Sequence, residues 1–163
     1  MIKNQSIRPE DWLEKIVEQH KVRLFRIAHS MMGQWEDAED VLQDVLIKLL
    51  EKSPSFKSVE HEIAWLIRVT VNLCKDRLRS AWRTTSVPLL DIHSVEDGEQ
   101  ESLLETVLSL PPKYRTAIHF FYYEGYSTRE IARMTGQTAG AVQQQLARAR
   151  AMLKNYLERE ACI

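Results

Sequence analysis

The sequence is poor in the residues that build stapled, fibrous or membrane-spanning proteins. Its two cysteines, Cys74 and Cys162, are too few for a disulfide framework and lack metal-ligand spacing. A reducing, cytoplasmic location is expected. Five glycines and five prolines exclude a collagen-like or loop-rich chain. No apolar run approaches the roughly 18 residues that cross a bilayer. The opening MIKNQSIRPEDWLEK has no apolar centre, so no secretory leader is expected. His20, His29, His61, His93 and His119 are scattered without a triad or metal pattern. A glycine-rich phosphate loop is absent too. No enzymatic activity, metal, cofactor or small-molecule substrate is expected.

What is present is helix and segregated charge. The chain has 163 residues, 44% hydrophobic and 28% charged, enough for one domain or two small ones. The net charge of −1 conceals alternating blocks. Glu36, Asp37, Glu39, Asp40, Asp44 and Glu51 face only Lys48 between residues 36 and 51. Arg68, Lys75, Arg77, Arg79 and Arg83 outweigh Glu62 and Asp76 in the next block. Residues 90–106 carry Asp91, Glu96, Asp97, Glu99, Glu101 and Glu105 with no lysine or arginine. Residues 128–159 are basic again, through Arg129, Arg133, Arg148, Arg150, Lys154 and Arg159. Different segments therefore suit different partners.

The apolar spacing predicts an all-α fold. Trp12, Leu13, Ile16, Val17, Leu24, Ile27, Ala28 and Met31 keep helical period up to Gly33. A second helix starts near Asp37, with Ala38, Val41, Leu42, Val45 and Leu49 as its inner stripe. It stops before Pro54, which disfavours helix in Ser53. A third runs from about Glu60 to Trp82. The stretch 83–102, with Pro88, Gly98 and clustered acids, interrupts the pattern. The reading is two small helical domains, 1–83 and 103–163, joined by a flexible acidic linker at 84–102. A short helix, Leu103–Leu110, opens the second domain, and a longer one follows LPPKY to about Tyr123.

YSTREIARMTGQTAGAVQQQLARARAMLK then has the parts of a helix-turn-helix in order. Ser127 precedes Glu130 by three residues, a capping box. Ile131 and Ala132 face inward. Gly136 supplies the sharp turn, and Thr138 caps the next helix. Val142, Leu146, Ala149 and Leu153 form its inner side, which leaves Gln143, Gln144, Ala147, Arg148 and Arg150 outward. Glutamine and arginine are suited to base edges and phosphates in the major groove. A solvated polar face is the plain alternative.

Two N-terminal helices complement each other. Asp40, Gln43, Asp44 and Lys48 lie away from the Val41–Val45–Leu49 stripe, and Ile47 and Leu50 add outward apolar surface, as a protein-docking face requires. Arg68, Asn72, Lys75 and Arg79 form a basic stripe beside Ile67, Val71, Cys74 and Leu78. Trp65 and Trp82 flank it, placed either to stack an unpaired base or to pack in the core. Cys74 belongs with packing.

LFRIAHSMMGQWEDAEDVLQDVLIKL, AWLIRVTVNLCKDRLRSAWR and LSLPPKYRTAIHFFYYEGYSTREIARMTGQTAGAVQQQLARARAMLK, in that order around an acidic linker, resemble the extracytoplasmic function (ECF) sigma factors of the bacterial sigma-70 family. The resemblance covers roughly residues 10–158. It implies a factor that binds core RNA polymerase, recognises −35 and −10 promoter elements and helps melt DNA for a stress or envelope-response regulon. By the same resemblance, Asp40, Gln43, Asp44, Ile47 and Lys48 would meet core polymerase. Trp65, Arg68, Asn72, Lys75, Arg79 and Arg83 would engage the −10 element, and the loop about Lys52–His61 a flipped base. Thr138, Gln143, Gln144, Ala147, Arg148 and Arg150 would read the −35 element. An anti-sigma factor, often membrane-anchored in such proteins, is the further partner implied. The family usually carries basic residues near Gln143 and Gln145, and here both are neutral. A stand-alone helix-turn-helix regulator that binds palindromic DNA without polymerase is the alternative. A helical interaction protein that binds no DNA is the third.

Overall fold

A computed structural model describes residues 9–83 and 105–161; the interdomain linker and Cys162 of the sequence reading lie outside them. The described residues form helices and connecting turns and no strand. Helix α1 spans Pro9–Met32, with Glu10 and Asp11 in the first turn complementing the helix dipole. Gly33 ends it at φ +79°, its N–H donating to the His29 carbonyl at 2.8 Å. Helix α2 spans Trp35–Lys52, two residues earlier than the sequence marks. Its N-cap, Gln34, makes no side-chain capping bond, so no cap residue advertised the true start. It closes on Ser53 in a left-handed conformation, whose N–H reaches Leu49 and whose hydroxyl reaches Leu50. Helix α3 spans Val59–Arg83, and Ser58 caps it by accepting from the His61 N–H.

These three helices bury the expected stripes against one another. Ile16, Leu24, Ile27, Ala28 and Met31 of α1 meet Ala38, Val41, Val45 and Leu49 of α2 and Leu66, Ile67, Val71 and Cys74 of α3, all buried. His20 of α1 bonds Glu62 of α3 at 2.7 Å at the edge of this core.

The second group begins with a short helix, α4, over 105–109. Helix α5, Pro112–Ile118, follows with Pro112 in the first turn. The sequence reading carries this helix to Tyr123. Instead its last turn, His119–Tyr123, widens into a π-helical turn, with the Glu124 N–H reaching back to the His119 carbonyl. Helices α6, Thr128–Thr135, and α7, Ala139–Ala161, complete the chain. Leu110, Tyr114, Ala117, Ile118 and Phe120 pack with Ile131, Ala132, Val142, Leu146 and Ala149.

The two helical groups meet, and their buried residues join in one cluster. At the junction sits Arg115, a guanidinium only 4% exposed. It donates to the carbonyls of Ser30 and Met31 at the end of α1, at 2.8 and 3.0 Å. It also donates to those of Leu108 and Leu110 beyond α4, both at 3.0 Å. Helix ends leave carbonyls without intrahelical partners, and one side chain satisfies two such ends. Burial lowers the Arg115 pKa to about 10, still high enough to keep the charge at neutral pH. Around it, Arg23 bonds Glu124 at 2.7 Å and the Tyr126 hydroxyl at 2.8 Å, and Arg26 lies over the Tyr123 ring.

Gly33 packs directly on this guanidinium. A Cβ there would stand 2.8 Å from the nearest Arg115 nitrogen, in a left-handed backbone. Gly33→Ala should therefore cost about 1–3 kcal/mol, read as a lower urea midpoint at unchanged slope. An unaltered midpoint would contradict this tight fit.

Candidate nucleic-acid interface

Helix α2 turns its buried Val41, Val45 and Leu49 inward and leaves Asp40, Gln43 and Lys48 exposed on the opposite side. Asp44 is half-buried. Ile47 and Leu50 are each 51% exposed, so apolar side chains stand in water beside carboxylates. Arg77 of α3 bonds Asp44 at 2.6 Å and lies 3.8 Å from Asp40. The hydrogen bond from Asp44, aided by the charges of Asp44 and Asp40, raises the Arg77 pKa. All three groups are partly solvated, so the pair orients the acids more than it stabilises the fold.

Helix α3 carries Arg68, Asn72 and Arg79 exposed, as the stripe predicts. Trp65 is half-buried and meets Phe56 edge-on at 5.7 Å; Phe56 in turn meets His61 at 5.6 Å. An aromatic trio thus stands at the loop between α2 and α3, where the sequence places base capture. The side chains of Trp82 and Arg83 lie outside the described residues. Lys75 departs from the exposed stripe. It is half-buried, and its ammonium donates to the Thr135 carbonyl at the end of α6. Burial, then the charge of Arg79, lowers its pKa. The sequence could not show that α6 ends against α3.

The helix-turn-helix is built as its residues dictate. Ser127 accepts from the Glu130 N–H while the Glu130 carboxylate accepts from the Ser127 N–H, a complete capping box. Gly136 ends α6 at φ +67°. The Thr138 hydroxyl caps α7 through the Ala141 N–H at 3.1 Å. Gln143, Gln144, Ala147, Arg148 and Arg150 are all exposed on α7. Tyrosines hold both arginines. Arg150 donates to the Tyr122 hydroxyl at 2.6 Å, with the Tyr122 and Phe121 rings beneath it. Arg148 bonds Tyr114, and that bond is the main reason the Tyr114 pKa is lowered. Gln145 is only half-exposed. Its amide donates to Gln137, which donates in turn to the Thr135 hydroxyl.

Residues 16–84 match the sigma-70 region 2 family, and residues 100–153 match the sigma-70 region 4 family. The ECF RNA polymerase sigma factor SigM of Mycobacterium tuberculosis is 33% identical over 149 residues, spanning 88% of this chain and 76% of that protein. The chain belongs to the ECF sigma factors of the sigma-70 family. It is an RNA polymerase sigma factor. The Bacillus subtilis ECF factor SigW is 26% identical over 176 residues, covering 96% of this chain and 94% of its own. The fold is shared with the sigma factor RpoE of Bartonella quintana, solved with the anti-sigma factor NepR. Its TM-score is 0.71 at 22% identity, over 89% of this chain and 96% of that one. CnrH, solved with the cytosolic domain of CnrY, gives 0.62 at 26% identity, over 92% and 90%.

In this sigma factor the outward glutamines and arginines were legible from helical period. Arg77, Arg115 and Gln145 were missed as structural partners. Arg115 left one signal, a lone charge among the apolar residues of YRTAIHFF. Among the described residues no helix is long and apolar enough to cross a membrane.

Cys74, beside the basic stripe, is fully buried, and burial pushes its thiol up to about 12. The thiolate is the reactive form. In a Cys162→Ser background, Ellman's reagent at pH 8 should label Cys74 only as fast as the chain unfolds. Prompt labelling of folded protein would contradict that placement.

Proposed function

We propose that this sigma factor docks on core RNA polymerase through the outer face of α2 and addresses it to promoters through α3 and α7. The observation that carries the reading is the pairing of exposed Ile47 and Leu50 with Asp40, Gln43, Asp44 and Lys48 on one face. Burying an exposed isoleucine contributes about 1.5–3 kcal/mol. The flanking acids add orientation and encounter rate.

Promoter reading divides between the two halves, taken as 1–83 and 103–163 with 84–102 as linker. Exposed Arg68, Asn72 and Arg79 engage the −10 element and its separated strand, with Trp65 and Arg83 at the ends of the stripe. Phe56, His61 and Trp65 offer aromatic faces to an unpaired base, each such stack contributing about 1–3 kcal/mol. Gln143, Gln144, Arg148 and Arg150 enter the major groove at the −35 element, where glutamine suits adenine and arginine suits guanine or phosphate. Thr138 and Ala147 complete that face. The factor works by binding in the cytoplasm and makes no covalent chemistry. An anti-sigma factor, as in the RpoE–NepR complex, is the partner that would restrain it, and a stress or envelope-response regulon is its output. A stand-alone regulator would not need both sigma-70 modules in order.

Titration of labelled chain with purified bacterial core polymerase tests the docking face. Ile47→Lys touches no core contact and should weaken binding at least about ten-fold, equal to about 1.4 kcal/mol, at unchanged melting temperature. Asp44→Arg should weaken it too, but it also breaks the Arg77 pair. Failure of the folded wild-type chain to bind would remove the assignment.

Neutral Gln143 predicts modest phosphate attraction. Gln143→Arg should raise affinity for duplexes of any sequence and steepen the log K against log salt slope by about 0.9 for one added phosphate contact. An unchanged slope would show that position 143 does not face the backbone.

A further inference from the structure

The surfaces assigned above to the −10 and −35 elements are tied together in this structure. Lys75, on the basic stripe of α3, donates to the Thr135 carbonyl. The Thr135 hydroxyl accepts from Gln137, and Gln137 accepts from Gln145 of the α7 helix. Three consecutive hydrogen bonds therefore join one promoter-reading helix to the other. Promoter elements near positions −35 and −10 lie about 25 base pairs apart, roughly 85 Å along a duplex at 3.4 Å per pair. A chain in which α3 and α7 are linked through three side chains cannot rest on both.

The contact that holds the halves together is built for that purpose. Arg115 satisfies four carbonyls, two on each side of the junction. Gly33 leaves its guanidinium room that any side chain would take. Arg23, Glu124 and Tyr126 make a second clasp, with His119 standing 3.3 Å from Glu124. Lys75 is the group withheld: α3's other basic side chains Arg68 and Arg79 stay exposed, while this one is spent inside the molecule.

We infer that the junction is an intramolecular latch: with Arg115 as its pin, it holds the polymerase-free sigma factor in a closed state that withholds Lys75 and cannot span a promoter. Opening frees Lys75 and the ends of α1 and α4 together. The inference rests on the promoter-reading assignment for its consequence, but the latch itself is a property of the free chain. If the open form is between about 1% and 10% populated, removing the pin raises apparent affinity for an open-state ligand by about 10–100-fold.

Spin labels at Lys21→Cys and Arg133→Cys, in a Cys162→Ser background, report the distance between halves. The free wild-type chain should give one narrow, short distance, and purified core polymerase should lengthen it. Arg115→Met, checked for helicity, should give a broad, longer distribution without polymerase. The same variant should bind a mixed-sequence single-stranded oligonucleotide at least about ten-fold more tightly. Its salt slope should steepen by about 0.7, the value for one more phosphate contact on a single strand. Adding Lys75→Met should abolish the steepening. A broad distribution in the free wild-type chain would overturn the latch. So would a folded Arg115→Met chain with wild-type distance and slope. Should that variant fail to fold, the wild-type chain decides, because a distance that stays short on core polymerase overturns the inference. If polymerase does not bind at all, the docking assignment falls, and the variant's distance and salt slope decide the latch on their own.

Discussion

A guanidinium buried among four carbonyl oxygens is the constraint on which the arrangement of this molecule depends. Carbonyls at helix ends are costly to bury unpaired, and a buried charge is costly without partners. Arg115 cancels both costs at once. The geometry fixes where α1 ends, since Ser30 and Met31 must present their carbonyls together. It fixes the residue after α1 as glycine, because the guanidinium fills the space a Cβ would need. It also fixes how α5 lies against α1, and through α5 the direction of the helix-turn-helix.

Charge works in two distinct ways here. Some pairs are internal. Arg77 lies against Asp44 and Asp40, Arg23 against Glu124, and His20 against Glu62. These align helices and hold carboxylates in place. Others stay in water on one face, as Arg68 and Arg79 do on α3 and Gln143 and Gln144 on α7. The near-zero net charge therefore says little about recognition, because field strength depends on which charges remain uncancelled at each surface.

Period was enough to place most of this architecture. The inner stripes of α1, α2 and α3, and the outward set on α7, follow from spacing alone, since one helical face must be buried. The capping box, the Gly136 turn and the Thr138 cap were equally legible, because each is a local interaction between residues three or four apart. Contacts between distant segments were not. Nothing near Lys75 in the chain announces Thr135, and nothing near Arg115 announces Ser30. The start of α2 was misplaced because Gln34 caps it without a side-chain bond. The π turn at His119–Tyr123 was hidden because its apolar residues fit an ordinary helix equally well.

The division of labour among the three adjacent glutamines has an evolutionary consequence. Gln145 is bound to Gln137 and sets the rotation of α7 about its own axis, whereas Gln143 and Gln144 project from the exposed face. Substitutions at 143 and 144 can alter the outward chemistry while the scaffold keeps its shape. The target sequence of such a helix can therefore drift, or be reassigned by design, one side chain at a time, without each intermediate having to solve the folding problem again.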